Sequence, residues 1–278
     1  MSFGYVLIGL DREGHTYQRL AYALALSIKN TQFKNPNISI ITNKPLPSQW
    51  ESIFDKIIIT DENHKLDKGV GSRYKLYDLS PYDETVHIES DSIILNDISH
   101  WWDSFRQSGS YLKFSRKIVN IDGSTILMEK HPEHRTVYKI NCIPYDIRTS
   151  IIWFKKSKKT KIFFEKLKDV SIKYQEYCEK HTPFIRDLIS FDMCSTFTTV
   201  ELNCYNEVAD IDNIISFCHG KDYVLGFDWT QLDQKFINSN NFYIHGFKQK
   251  NSFHYQYNDW MTDDKLKTLE YDYYSKYK

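Results

Sequence analysis

The chain has 278 residues, with 36 Lys plus Arg against 36 Asp plus Glu, and an apolar fraction of 41% that includes 15% aromatic residues. That is enough apolar material for the core of one large α/β domain, and the balanced charge gives no overall field to draw the protein onto nucleic acid or an anionic membrane. The five cysteines, Cys142, Cys178, Cys194, Cys204 and Cys218, are odd in number and hold no CxxC pair, which argues against a disulfide framework or a zinc knuckle and for a reducing compartment.

Residues 1–10 carry no basic leader before their apolar run and pass directly into Asp11-Arg12-Glu13-Gly14, the pattern of a first strand rather than a signal peptide. No run approaches the about 18 apolar residues a membrane span needs. The expectation is a soluble, cytoplasmic protein with no stable membrane span. A buried strand is predicted at 5–10 and a polar loop at 11–16. Tyr17, Leu20, Ala21, Leu24 and Ile28 then recur at helical spacing over 17–29. A strand at 38–42, a turn at 43–47, a short helix at 50–54 and a strand at 56–60 follow. This alternation, with continuously apolar strands, predicts a Rossmann-like α/β domain with a mostly parallel central sheet flanked by helices.

After a loop at 61–71, a helix at 73–79 leads into a strand ending at Glu89-Ser90-Asp91. Residues i and i+2 of a strand face one way, so Glu89 and Asp91 can converge on a point. Two hard oxygen ligands there suit a divalent cation that keeps positions open for phosphate oxygens. Further on, the pattern predicts a helix at 99–105, strands at 111–119 and 147–154, a long helix at 159–179 and another at 183–197. The poorly patterned stretch 120–141 is expected to hold acceptor-binding loops. Short strands are predicted at 209–215, 223–227 and 241–245, and a tyrosine-rich helix at 260–278. The lysines at 155, 156, 158, 159 and 161 read as a solvated helix start.

Three motifs in this order carry a resemblance: Ser72-Arg73-Tyr74-Lys75-Leu76, then Val86-His87-Ile88-Glu89-Ser90-Asp91-Ser92, then His245-Gly246-Phe247-Lys248. Together they resemble the metal-dependent GT-A glycosyltransferases, within them the family 8 group that includes glycogenin and bacterial lipopolysaccharide galactosyltransferases. The likeness runs from about residue 3 to about residue 250, by order of motifs rather than by close identity. Arg73 to Leu76 looks like the family's R-x-K-L helix, and Glu89-Ser90-Asp91 like its D-x-D strand with glutamate in the first acidic place. The extra methylene also lets Glu89 reach a ribose or a metal-bound water.

The resemblance implies one GT-A domain over 1–278, with a nucleotide-binding half at 1–120, an acceptor- and sugar-binding half at 121–250 and a helical tail at 251–278. It implies Mn²⁺ or Mg²⁺ held by Glu89, Asp91 and His245, and a UDP-sugar donor held by Asp11, Tyr17, Arg73, Lys75, Ser150 and Lys248. Asp11 and Tyr17 would fall near the uracil, Ser150 on the strand beside the donor sugar, and Lys248 at the diphosphate. Asp192, in the place of the family's Asp-Gln pair, and Arg73 would be the catalytic residues, with retention of anomeric configuration. Here Arg148 and Ser150 replace the Asn and Gly of the family's N-x-G strand, and Met193 replaces Gln. His219-Gly220-Lys221 offers local chemistry similar to that of His245. The hydroxyl acceptor stays open among a glycan, a lipid-linked glycan, a protein and a modified DNA base. Two other readings stand beside this one: a nucleotidyltransferase, and a nucleotide-sugar-binding protein without turnover.

Overall fold

A computed structural model describes residues 1–32, 34–60, 71–107, 109–119, 125–127, 138–140, 145–181, 189–210, 243–244, 247–248, 252–255 and 258–276. The fold is mixed α/β, with a mostly parallel sheet flanked by helices, as the sequence predicts. The chain divides into two compact units. One comprises Phe3–Asp61, His87–Ser104 and Asn213–Lys278, the other Met1–Ser2, Glu62–Val86 and Phe105–Asp212.

The first unit opens with β1 (Phe3–Gly9), α1 (Tyr17–Thr31), β2 (Ile38–Thr42), α2 (Ser48–Glu51) and β3 (Lys56–Ile59). β1 and β2 run parallel with Tyr5 opposite Ile38, and β2 and β3 parallel with Ser39 opposite Lys56. Such pairs need a covering crossover, and α1 supplies it. Its residues Leu20 to Ile28 are buried, and the small Ala21, Ala23 and Ala25 let it lie close to the strands. Gly9 is required by that closeness, because a Cβ there would sit 2.9 Å from Ile40 Cδ1 and 3.1 Å from the Gln18 backbone. α2 begins earlier than its apolar residues indicate, because Pro47 accepts the Trp50 N–H and opens the turn.

A 3₁₀ turn (Gly71–Lys75) continues as α3 (Leu76–Leu79), where a single helix was predicted. β4 (Glu84–Ile88) runs from one unit into the other, and β5 (Ser92–Ile94) and α4 (Trp101–Gln107) follow it. The second unit continues with β6 (Leu112–Val119), a small antiparallel ribbon of β7 (Thr125–Leu127) and β8 (Tyr138–Ile140), and β9 (Tyr145–Lys155). β6 and β9 pair antiparallel, with a register shift between Phe114 and Arg116.

α5 (Lys158–Ile172) is capped by Ser157, whose hydroxyl accepts from Thr160 N, and buries Phe163, Phe164, Leu167 and Val170. The predicted 159–179 helix is in fact α5 and a separate α6 (Tyr174–His181). Lys173 leaves helical geometry between them, just after Ser171 Oγ donates back to Leu167 O, a contact that weakens the local ladder. α7 (Phe191–Glu201) covers 191–197 of the predicted 183–197 helix and runs four residues past it; residues 183–188 of that prediction lie outside the described residues. It is buried despite being rich in hydroxyls, because Thr196, Thr198 and Thr199 each donate to the carbonyl four residues back. β10 (Ala209–Asp210) pairs parallel with β6.

Of the predicted 209–215, 223–227 and 241–245 strands, only the start of the first and residues 243–244 fall among the described residues. The first unit closes with β11 (Tyr243–Ile244) paired to β12 (Phe247–Lys248), β13 (Ser252–His254) paired to β5, and α8 (Asp263–Lys276). Among the described residues no helix is long and apolar enough to cross a membrane.

Candidate active site

β4 is buried along its whole length and stops at Ile88, so Glu89, Ser90 and Asp91 form the tight connection into β5 rather than the end of a strand. The two carboxylates nevertheless converge. Ser90, between them, is buried and its hydroxyl donates to Ile8 O near the end of β1, which ties the turn to that strand. The third member of the cluster is His254, on β13. Its Nε2 lies 3.0 Å from Asp91 Oδ1 and 3.1 Å from Glu89 Oε2, with all three side chains 11–22% exposed. One ligand atom from each of Glu89, Asp91 and His254 falls within 4.8 Å of the others.

Two carboxylates and an imidazole are a donor set that suits a first-row divalent ion, with the nitrogen shifting preference from Mg²⁺ toward Mn²⁺. Glu89 and Asp91, with a histidine beside them, fit the cation that the sequence reading calls for. His245 and His219 lie outside the described residues, and among the described residues His254 is the histidine beside the carboxylates. Tyr255, the next residue, is fully enclosed. Burial, reinforced by the Asp91 charge, raises its phenol well above the ordinary tyrosine value, so it stays protonated and able to donate.

In the same unit the β1–α1 loop is built on Asp11. Its backbone N–H donates to Asn43 Oδ1 at 3.0 Å, and its carbonyl accepts from Asn43 Nδ2 at 2.8 Å. Its carboxylate accepts from Gln18 N at 2.8 Å and so caps the start of α1. Asn43, which the sequence reading did not single out, therefore fixes the loop from the end of β2. Tyr17 opens α1, and its hydroxyl accepts from Arg12 at 2.6 Å beyond a turn where Gly14 takes φ 73°. Lys248 falls on β12, opposite Tyr243.

The second unit gathers other predicted residues. Asp192, in the first turn of α7 after the Ser190 cap, accepts from Thr149 N at 2.9 Å and Thr149 Oγ1 at 2.6 Å, and pairs with Arg148 at 3.4 Å. Arg73 reaches Thr149 Oγ1 at 3.4 Å and lies over the Phe191 ring at 5.3 Å. Arg73 and Asp192 are thus brought together through Thr149. Ser150 is buried, and its hydroxyl donates to Ser115, which donates to Arg148 O. Lys75 is half-buried, with its ammonium 6.0 Å from the Tyr74 ring.

No protein-family model matches the chain. No curated protein matches it either. Solved structures do. Mouse xyloside xylosyltransferase 1 superposes with a TM-score of 0.52 at 9% identity, over 91% of this chain and 97% of that one. An active-site mutant of LgtC, a galactosyltransferase, gives 0.51 at 11% identity, over 96% and 95%. The glycosyltransferase GlyE of Streptococcus pneumoniae TIGR4 gives 0.47 at 14% identity; it overlaps 76% of this chain, which spans 45% of GlyE. At these identities the likeness speaks to architecture, and the architecture of this chain is the GT-A fold of the glycosyltransferases.

Proposed function

We propose that this protein is a glycosyltransferase that moves a sugar from a nucleotide-sugar donor, a UDP-sugar, onto a hydroxyl acceptor with a divalent cation, Mn²⁺ or Mg²⁺. The observation that carries the reading is the convergence of Glu89, Asp91 and His254 on a connection after a buried strand, in a chain with the GT-A fold. Cleavage of a glycosyl diphosphate leaves negative charge on the departing nucleotide. A bound divalent cation supplies positive charge at those phosphate oxygens. Glu89, Asp91 and His254 hold that cation, and Ser90 keeps the two carboxylates directed at it.

In this reading the Asp11 loop, braced by Asn43, and Tyr17 receive the base, while Lys75 and Lys248 add positive charge toward the phosphates. Arg73 offsets leaving-group charge. Asp192, fixed in orientation by two hydrogen bonds from Thr149, positions the sugar and supports its cationic centre. Ser150 is assigned to the strand beside the donor sugar. Retention of configuration follows if the acceptor attacks from the face the diphosphate leaves, with a phosphate oxygen taking the proton. The acceptor is a hydroxyl compound among the glycan, lipid-linked glycan, protein and modified-base classes. Among the described residues, the buried thiols Cys178, Cys194 and Cys204 form no disulfide, which accords with a cytoplasmic setting.

Calorimetric titration of UDP in the presence and absence of Mn²⁺ tests the donor assignment. The expected result is UDP binding that requires Mn²⁺ and is lost in Asp91→Ala. Equal UDP binding with and without the metal would remove the cation from the donor site.

A further inference from the structure

The segment carrying His254 is fastened to the same turn that it completes. β13 and β5 pair with His254 opposite Ser92 and Phe253 opposite Ile93. Tyr255 then donates its backbone N–H to Asp91 O at 2.9 Å, and its hydroxyl approaches Ser90 O at 3.5 Å. The Tyr255 ring lies 4.6 Å from that of Trp260, and Phe253 meets the same indole edge-on at 5.4 Å. All three rings are buried. The two residues that flank His254 are therefore packed on Trp260.

Beyond Trp260 the chain enters α8, which is tied along the length of α1. Arg19 pairs with Asp263 at 2.6 Å, Tyr22 donates to Glu270 at 3.1 Å, and Asn30 Nδ2 donates to Leu269 O at 3.1 Å. Lys276 Nζ reaches Asn30 O at 3.0 Å and Gln32 O at 3.1 Å, carbonyls at the C-terminal end of α1 that helix geometry leaves without intrahelical donors. α1 in turn holds β5, because Ser27 Oγ accepts from Ile94 N at 2.9 Å. The same helix thus anchors both the strand that follows Asp91 and the tail that follows His254.

We infer that Tyr255 and Trp260 are positioning residues for the Glu89–Asp91 turn, and that residues 252–255 and 258–276 form a clasp whose docking on α1 sets the affinity for the divalent cation. The inference rests on the metal reading above. Coupling of this kind is reciprocal: a clasp that tightens the metal site must itself be tightened by the metal.

Mn²⁺ is the probe, with affinity read from the electron paramagnetic resonance signal of the free ion and clasp order from amide hydrogen exchange. In the wild-type protein Mn²⁺ is expected to slow exchange of the Tyr255 amide and of the α8 amides. Trp260→Ala is expected to weaken Mn²⁺ binding about tenfold or more, and to speed exchange over 252–255 in the metal-free protein. Trp260→Phe should recover part of both. The surface double variant Arg19→Ala/Lys276→Ala should speed α8 exchange without metal, with the difference narrowing when Mn²⁺ is added. Mn²⁺ binding to the wild type with no change in exchange over 252–276 would overturn the inference alone, even if Trp260→Ala fails to fold. Wild-type Mn²⁺ affinity in a folded Trp260→Ala would do the same. A wild-type protein that binds no Mn²⁺ would overturn the metal reading and this inference with it.

Discussion

His254 and Asp91 stand 163 positions apart in the chain, and their side chains meet at 3.0 Å, with Glu89 at 3.1 Å from the same imidazole nitrogen. A single ring nitrogen cannot serve two carboxylates equally well, whereas a cation among the three satisfies all of them at once. Mn²⁺ is therefore expected to raise the melting temperature in a concentration-dependent way. Asp91→Ala should abolish that stabilisation. His254→Ala should weaken Mn²⁺ binding by at least about tenfold, or ~1.4 kcal/mol. Calorimetric titration of the three proteins is the check.

Ser90 is held between the carboxylates by its bond to Ile8 O. Ser90→Ala removes a hydrogen bond from that part-buried carbonyl, which costs about 0.5–1.5 kcal/mol of folding stability. The same change should loosen the turn and reduce Mn²⁺ affinity, although Ser90 is not itself a proposed ligand. Denaturant unfolding and Mn²⁺ titration of one preparation measure both effects.

Asp192 offers a separation of charge from shape. Asn at this position can still accept from Thr149 N and Oγ1, and its partly exposed pair with Arg148 is worth about 1 kcal/mol or less. Asp192→Asn should fold with near wild-type stability yet transfer sugar at least about tenfold more slowly. Asp192→Ala, which strips the acceptor from Thr149, should lose about 1–3 kcal/mol of stability as well. Paired unfolding curves and rates distinguish the two variants.

Asp169 gives a pH-dependent prediction away from the site. Its carboxylate is held at about 2, first by Lys173 at 2.9 Å and then by the Tyr177 hydroxyl at 2.8 Å. A folded-state value below the unfolded value of about 3.9 contributes stability at higher pH that disappears as pH falls through that interval. Acid unfolding of Asp169→Asn should therefore depend less steeply on pH between about 4 and about 2 than that of the wild type.

The fold was legible in the sequence wherever local pattern and tertiary burial agree. The strand at 38–42 was predicted at its observed bounds, and α1 ran only two residues past its prediction, because continuous apolar strands and a 3.6-residue repeat are strong signals. The split between α5 and α6 was not legible, since apolar spacing passes unbroken through Lys173 while the backbone does not. Glu89 and Asp91 were found for a reason only partly right: they converge through a turn braced by Ser90, not through strand alternation. The motif order points to His245, a residue outside the described ones, and His254 lies outside that order. A signal for it did exist, since in Ser252-Phe253-His254-Tyr255 a polar residue alternates with two large aromatics, and buried Phe253 and Tyr255 leave His254 on the opposite side. Thr149 and Asn43 act by hydrogen bonds to residues distant in the chain, and no periodicity announces such contacts.

Release of UDP from a panel of UDP-sugars, measured with Mn²⁺, with EDTA, and in Asp91→Ala, tests the central claim most directly. Release from one sugar, lost on chelation and in the variant, is the predicted result. Mn²⁺-dependent UDP binding with no release from any sugar, with or without candidate acceptors, would contradict a glycosyltransferase that uses a UDP-sugar.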